Sequence, residues 1–184
     1  MERCTWPANT ARKGGATTSP FAYMPMKRLD QPPCDRADLT IADGAAVDLC
    51  HRIFTEFNYD KEATSISTPA EEVLLARKGV CQDFAHVMIG CMRSMGLPAR
   101  YVSGYLRSGP KMVGSEASHA WVSAYCSGIG WLDFDPTNNV MPSGSHLTVA
   151  WGRDYGDVSP VKGVAIGGGE QTITVSVAVV PTLE

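Results

Sequence analysis

The stretch GVCQDFAHVMIGCMRSMGLPARYVSGYL, residues 79–106, contains the change of hydrophobic period on which the fold turns. Its first half sets Phe84, Val87, Met88, Cys91, Met92 and Met95 three and four residues apart. That is the apolar stripe of an amphipathic helix, predicted over Cys81–Met95. A methionine-rich stripe of this kind reads as core packing. Gly96 stops the helix. After Pro98 the period becomes that of strands, the first over Arg100–Leu106.

Upstream, Ala46, Leu49, Cys50, Ile53, Phe54 and Phe57 predict a helix over Ala42–Phe57. Thr68-Pro69-Ala70-Glu71 reads as a helix start, with Thr68 as N-cap, Pro69 as first helical residue and Glu71 completing a capping box. That helix is expected to end near Gly79. Downstream, strands are predicted at Ser118–Cys126 and Trp131–Phe134, joined through residues 127–130 as a hairpin. Further strands are expected at His146–Trp151 and, after the glycines 167–169, at Gln171–Val180 with its Thr/Val alternation. Helices first and antiparallel strands afterwards define an α+β fold. Residues 1–41 read as an irregular N-terminal arm, and residues 42–184 as a single domain.

Composition narrows the function. The chain has 184 residues, 44% hydrophobic and 19% charged, with 16 basic against 19 acidic side chains and a formal net charge of -3. This is a globular composition with no polybasic run for nucleic acid or a lipid surface. No stretch approaches the roughly 20 apolar residues of a membrane span, and Met1–Pro25 lacks a signal-peptide core, so a cytoplasmic location is expected. The six cysteines include no CxxC pair, and most are expected to be reduced. No metal or nucleotide motif appears, so no cofactor is expected. The glycines 167–169 lack the strand-to-helix setting of a phosphate loop, and no GxSxG elbow is present.

Cys81 opens a predicted helix, where the partial positive charge of the N-terminus favours a thiolate. Cys50, Cys91 and Cys126 read as buried thiols. A nucleophilic thiol needs a base and a group to orient that base. Among the histidines, His86 lies five residues along the same helix and is turned away from Cys81, so it reads as a supporting or packing residue. His51 sits among charged neighbours, and His146 reads as lying in a Pro/Gly/Ser loop. His119, opening a strand, is the candidate base, and Asp135, closing the return strand, is the candidate orienting carboxylate, although Asp-Pro after a strand is in isolation an ordinary turn opener. Side-chain alternation supports Asp135 over Asp133. With Tyr125 opposite Trp131 and residues 126–130 as the loop, His119 would face Thr137, and Asp135 would be its diagonal neighbour on the same face.

These motifs together resemble the bacterial transglutaminase-like, cysteine-protease family. Arg77–His86 is similar to its nucleophile motif, Gly96–Tyr105 to the strand that follows, Ser118–Val122 to its histidine motif and Gly130–Asn138 to its aspartate motif. The tail from Arg153-Asp154-Tyr155 to Gln171 is similar to the family's usual ending, and the likeness spans Ala42–Val180. Relatives usually begin with an extra β-rich domain, where this chain has only the arm. The resemblance implies a papain-like, transglutaminase-like core, with the cysteine helix packed on an antiparallel sheet. It implies acyl transfer through a thioester by a Cys81–His119–Asp135 triad. The Cys81 backbone N–H would serve as an oxyanion donor, with Gln82 and Trp121 as further donor candidates. The substrate would be a peptide, a protein or a small ester. Hydrolysis is the leading reading, transglutamination onto an amine uses the same triad, and a non-catalytic binding module that keeps the triad is a third. Substrate identity and oligomeric state are open at this level.

Overall fold

The computed structural model describes residues 39–107, 112–126, 128–160, 163, 167 and 174–180, with side chains from residue 44 onward. The N-terminal arm up to residue 38, Cys4 and Cys34, the glycines 168 and 169 and residues 171–173 lie outside the described residues.

Helix α1 runs over Leu39–Glu56, starting three residues earlier than its apolar period suggests. It buries Ala46, Cys50 and Ile53, whereas Phe54, counted in the stripe, is 47% exposed. Strand β1, Asn58–Tyr59, pairs in parallel with β2, Lys78–Gly79. Between them lies α2, Ala70–Ala76. The N-cap is Pro69, with extended backbone and no side-chain cap, so the expected Thr68 capping box does not form. The Thr68 hydroxyl instead accepts the Ser65 N–H at 2.9 Å. The helix ends at Arg77 and not near Gly79, because Arg77 takes the left-handed conformation at φ 52°.

Helix α3, Cys81–Ser94, follows directly. Phe84, Val87, Met88 and Met92 are buried as its period requires, while Met95 falls past the last turn and is 66% exposed. Full burial of each such side chain contributes roughly 1.5–3 kcal/mol. The Arg93 guanidinium, near the end of α3, donates to the carbonyls of Ala99 and Arg153, fixing the turn into the sheet.

The sheet is antiparallel, in the order β5-β4-β3-β6. Its strands are β3, Ala99–Leu106; β4, His119–Cys126; β5, Gly130–Phe134; and β6, His146–Gly152. One face brings Tyr101, Ala120, Val122, Ala124 and Phe134 against α3 and α1, forming the core. A short helix α4, Tyr155–Val158, follows β6, capped by the Asp154 carboxylate on the Gly156 N–H. This α+β architecture, with the helix that carries Cys81 packed on an antiparallel sheet, is the one expected. The final strand is not: residues 174–180 form no ladder and are mostly exposed. Alternation specifies a face but no partner strand.

In the β4–β5 hairpin Tyr125 faces Trp131, as predicted, and Cys126↔Gly130 also pairs, so only residues 127–129 remain as the loop. At the far end the ladder stops at Val122↔Phe134. The expected facing of His119 and Thr137 is therefore not made. Pro136 has no N–H to continue the ladder. Asp135 instead bridges to Val140, and Thr137 folds back to donate its N–H to Asp135 Oδ1 at 2.9 Å.

Candidate active site

The first turn of α3 is set by Asp83, whose buried carboxylate accepts the Val80 N–H at 2.9 Å and the Thr64 hydroxyl at 2.6 Å. This places Cys81, 9% exposed, at the helix start. Cys81 and Gln82 line a cleft of about 280 Å³ together with Tyr59, Tyr101, Gly114 and His119. Parallel pairing of β1 with β2 delivers Tyr59, a cleft residue that the sequence reading missed. Burial, then the Cys81 charge and three nearby carboxylates, push the Tyr59 phenol up to about 12, so it stays protonated.

His119, first residue of β4, is 1% exposed. Its Nε2 lies 2.9 Å from Asp135 Oδ2. Its Nδ1 meets no partner at full hydrogen-bond geometry; Gly114 passes beside it, and Cys81 lines the same cleft as the ring. Such contacts commonly tighten only when substrate is bound. Burial opposes a charged ring here, but the hydrogen bonds to Asp135 and Cys81 and the charges behind them outweigh it, and His119 is pushed up to about 9. Burial would raise Asp135. Donation from His119, His146 and Asn138 overcomes that and holds the carboxyl well below its usual range.

Asp135 is fully buried. Oδ1 accepts the N–H groups of Thr137 and Asn138 at 2.9 and 3.3 Å. Oδ2 accepts His119, the Asn138 side-chain amide at 2.8 Å and His146 Nε2 at 3.1 Å. The Asp-Pro-Thr-Asn turn foretold part of this cage, since an aspartate commonly binds its own backbone two residues on. Nothing local foretold His146.

The structure puts Cys81 and His119 on one cleft, with the buried Asp135 bound behind His119, and divides the weaker candidates. Gln82 lines the cleft. Trp121 does not: its indole N–H donates to Asp133 at 3.2 Å, and its ring stacks on His119 at 6.1 Å between centroids. It walls the His119–Asp135 pair and has no N–H to offer an oxyanion in this arrangement. His86 accepts the Tyr155 N–H at 3.2 Å and packs on Tyr101, so it anchors α4, and burial lowers its pKa. His51 Nδ1 meets the Asn139 amide at 3.1 Å. Among the described residues one group could hold a metal ion: His119, Asp135 and His146 offer ligand atoms within 4.8 Å of one another, already joined by hydrogen bonds. No helix among the described residues is long and apolar enough to cross a membrane.

Residues 35–136, a span that includes Cys81, His119 and Asp135, match the transglutaminase-like superfamily. The chain belongs to that superfamily. It is 46% identical over 144 residues to an uncharacterized protein of Mycobacterium tuberculosis, covering 73% of this chain and 46% of that protein. It is 31% identical over 103 residues to a protein-glutamine gamma-glutamyltransferase of Pseudomonas aeruginosa, covering 49% of this chain and 15% of that one. The crystal structure of a proposed cysteine protease from Cytophaga hutchinsonii superposes with a TM-score of 0.56 at 28% identity, over 67% of this chain and 44% of the other. The chain thus spans less than half the length of these proteins.

Proposed function

We propose that the unit 42–184 is a cysteine-dependent acyl-transfer enzyme, most simply a hydrolase of peptide amides or activated esters. The observation that carries this reading is the placement of His119, bound through Nε2 to a buried carboxylate while its other edge faces the cleft that Cys81 lines. The Cys81 thiolate attacks the substrate carbonyl, and the tetrahedral oxyanion collapses to a thioester as the leaving amine or alcohol takes a proton from His119. Water, deprotonated by His119, then cleaves the thioester and restores the thiol. The Cys81 backbone N–H, at the helix start, is the first donor to the oxyanion. The protonated Tyr59 phenol in the same cleft is a second.

Similarity to a protein named as a glutamyltransferase supports a second reading, in which an amine replaces water at the thioester. Both are tested by presenting wild type and Cys81→Ala with p-nitrophenyl esters, peptide amides and glutamine–amine pairs. Turnover lost in Cys81→Ala is expected, and the amine-incorporation arm separates transfer from hydrolysis. Wild type inert on all three would leave a non-catalytic binding module as the better account, whereas turnover surviving in Cys81→Ala would reject Cys81 as the nucleophile.

A further inference from the structure

His146 Nε2 and His119 Nε2 lie 3.1 and 2.9 Å from the same atom, Oδ2 of Asp135. A carboxylate oxygen only accepts, so both rings donate to it and both carry their hydrogen on Nε2. The two side chains are almost fully enclosed, at 3% exposure for His146 and 0% for Asp135. The other donors to this carboxylate, Thr137 and Asn138, belong to Asp135's own turn and move with it. His146 comes from β6, on the far side of β3.

Long-range features of the sheet bring it there. Ser103 faces Ala150 but Gly104 faces Thr148, so the register skips Val149. One extra residue turns every later side chain of the strand to the opposite face. His146 is thereby placed on the face of Leu106 and Gly104, and Gly104 pairs with His119 on its other side. Gly104 also makes room, since a Cβ there would strike the Leu147 carbonyl and lie 2.5 Å from the Trp121 ring. Trp121 lies across this gap, edge-on to His146 with centroids 5.1 Å apart, and stacks on His119.

Resting on the acyl-transfer reading above, we infer that His146 is a positioning residue for the Cys81–His119–Asp135 chemistry. It ties the Asp135 carboxylate to β6 and shares its Oδ2, which fixes the direction in which His119 Nε2–H points. His119 Nδ1 is then left facing Cys81 for proton exchange. Sharing also tempers the pull of Oδ2 on His119, because each further donor to one acceptor weakens the others; His146 adds to the Asn138 amide there.

The test compares His146→Phe and His146→Leu, which remove the donor, with His146→Gln, whose amide N–H can reach the same oxygen. The first readout is the downfield imidazole N–H resonance of His119 in nitrogen-15-labelled protein. It should move further downfield in the Phe and Leu variants, where Oδ2 has one donor fewer, and stay near its wild-type position in the Gln variant. The second is kinetic: kcat should fall on the order of tenfold in the donor-less variants, with KM little changed and recovery in His146→Gln. A His119 resonance unmoved by loss of the donor would overturn the inference, as would a Gln variant no better than Phe. The Gln variant keeps the comparison informative if an apolar variant does not fold. The resonance needs no substrate, so a protein that turns nothing over would refute the enzymatic reading while leaving the link between the two histidines to be decided by the spectrum.

Discussion

Tyr125 and Trp131 face each other across the β4–β5 hairpin, their rings edge-to-face with centroids 5.5 Å apart. This pair fixes the register, and the register decides which aspartate serves His119. A slip of one residue would send Asp135 to the other face. In the register observed, Asp133 binds the Trp121 indole and Asp135 binds the imidazole. Asp135→Asn is therefore expected to lower kcat by about 10⁴, the size of effect seen when a triad histidine is held in the wrong tautomer. Asp133→Asn should cost less than about tenfold, through a looser Trp121 wall. Equal losses from the two substitutions, measured on one substrate, would reject Asp135 as the orienting group.

Cys81 is also set apart from the other described thiols. Cys50 and Cys126 are buried, and burial together with the Asp135 charge pushes Cys50 up to about 12. Cys81 alone among them lines the cleft. Limiting iodoacetamide at mildly acid pH, read by peptide mass spectrometry, should modify Cys81 first, and His119→Ala should slow that modification. Uniform labelling of all the thiols would count against the assignment.

The cysteine helix and the aspartate turn were legible in the sequence because their signals are local. The stripe from Phe84 to Met92 needs only a period of three and four, and the Asp-Pro-Thr-Asn turn only its own backbone. The errors fall where a distant partner or a single backbone torsion decides. Arg77 ends α2 early by adopting a left-handed conformation that composition does not forbid. Residues 174–180 alternate like a strand but form no ladder. His146 was set aside as lying in a loop because its role depends on β6 pairing with β3, and on Val149 being skipped in that pairing.

Gly114 offers a sharper test of the cleft than the triad itself. It has φ +90°, and a Cβ built on it would lie 2.6 Å from His119 Nδ1. Gly114→Ala thus asks an L-residue to adopt a disfavoured conformation and pushes on the imidazole edge opposite the Asp135 bond, the one proposed to serve Cys81. Activity should fall on the order of a hundredfold while far-UV circular dichroism stays close to wild type, since a 1 Å misplacement can cost about that much. Near-normal activity in this variant would mean that Nδ1 is not the edge that works on the thiol.

His86 should matter for stability and little for chemistry. Its ring accepts the Tyr155 N–H, and burial, the largest influence on it, lowers its pKa. His86→Phe keeps the packing on Tyr101 but leaves that N–H without its acceptor, at a cost of about 1–3 kcal/mol in urea unfolding. The pH dependence of kcat/KM should keep its shape. A loss of activity matching that of His119→Ala would reverse the roles of the two histidines.

The last expectation follows from the pKa of His119, which stands near 9 against an ordinary 6.5. Below pH 6.5 the imidazole is charged both folded and unfolded, and the attraction to Asp135 stabilises the fold in full. Between 6.5 and about 9 the unfolded chain gives up its proton while the folded protein keeps it, so this contribution declines. Above 9 it is gone. Cys50, with an ordinary value of 9.0 raised to about 12, begins to act only where this window closes. Asp135 makes the opposite demand, its depressed carboxyl adding stability that disappears only as acid protonates it, far below the window. Wild-type Tm should thus fall on the order of 5 °C between pH 6.5 and 9. In Asp135→Asn the same scan should be nearly flat. If His119 donates to the leaving group as an imidazolium, kcat/KM must decline through the same pH 9. A Tm that holds level to pH 9 in wild type, with activity rising throughout, would show that His119 and Asp135 do not share a charge in the folded protein.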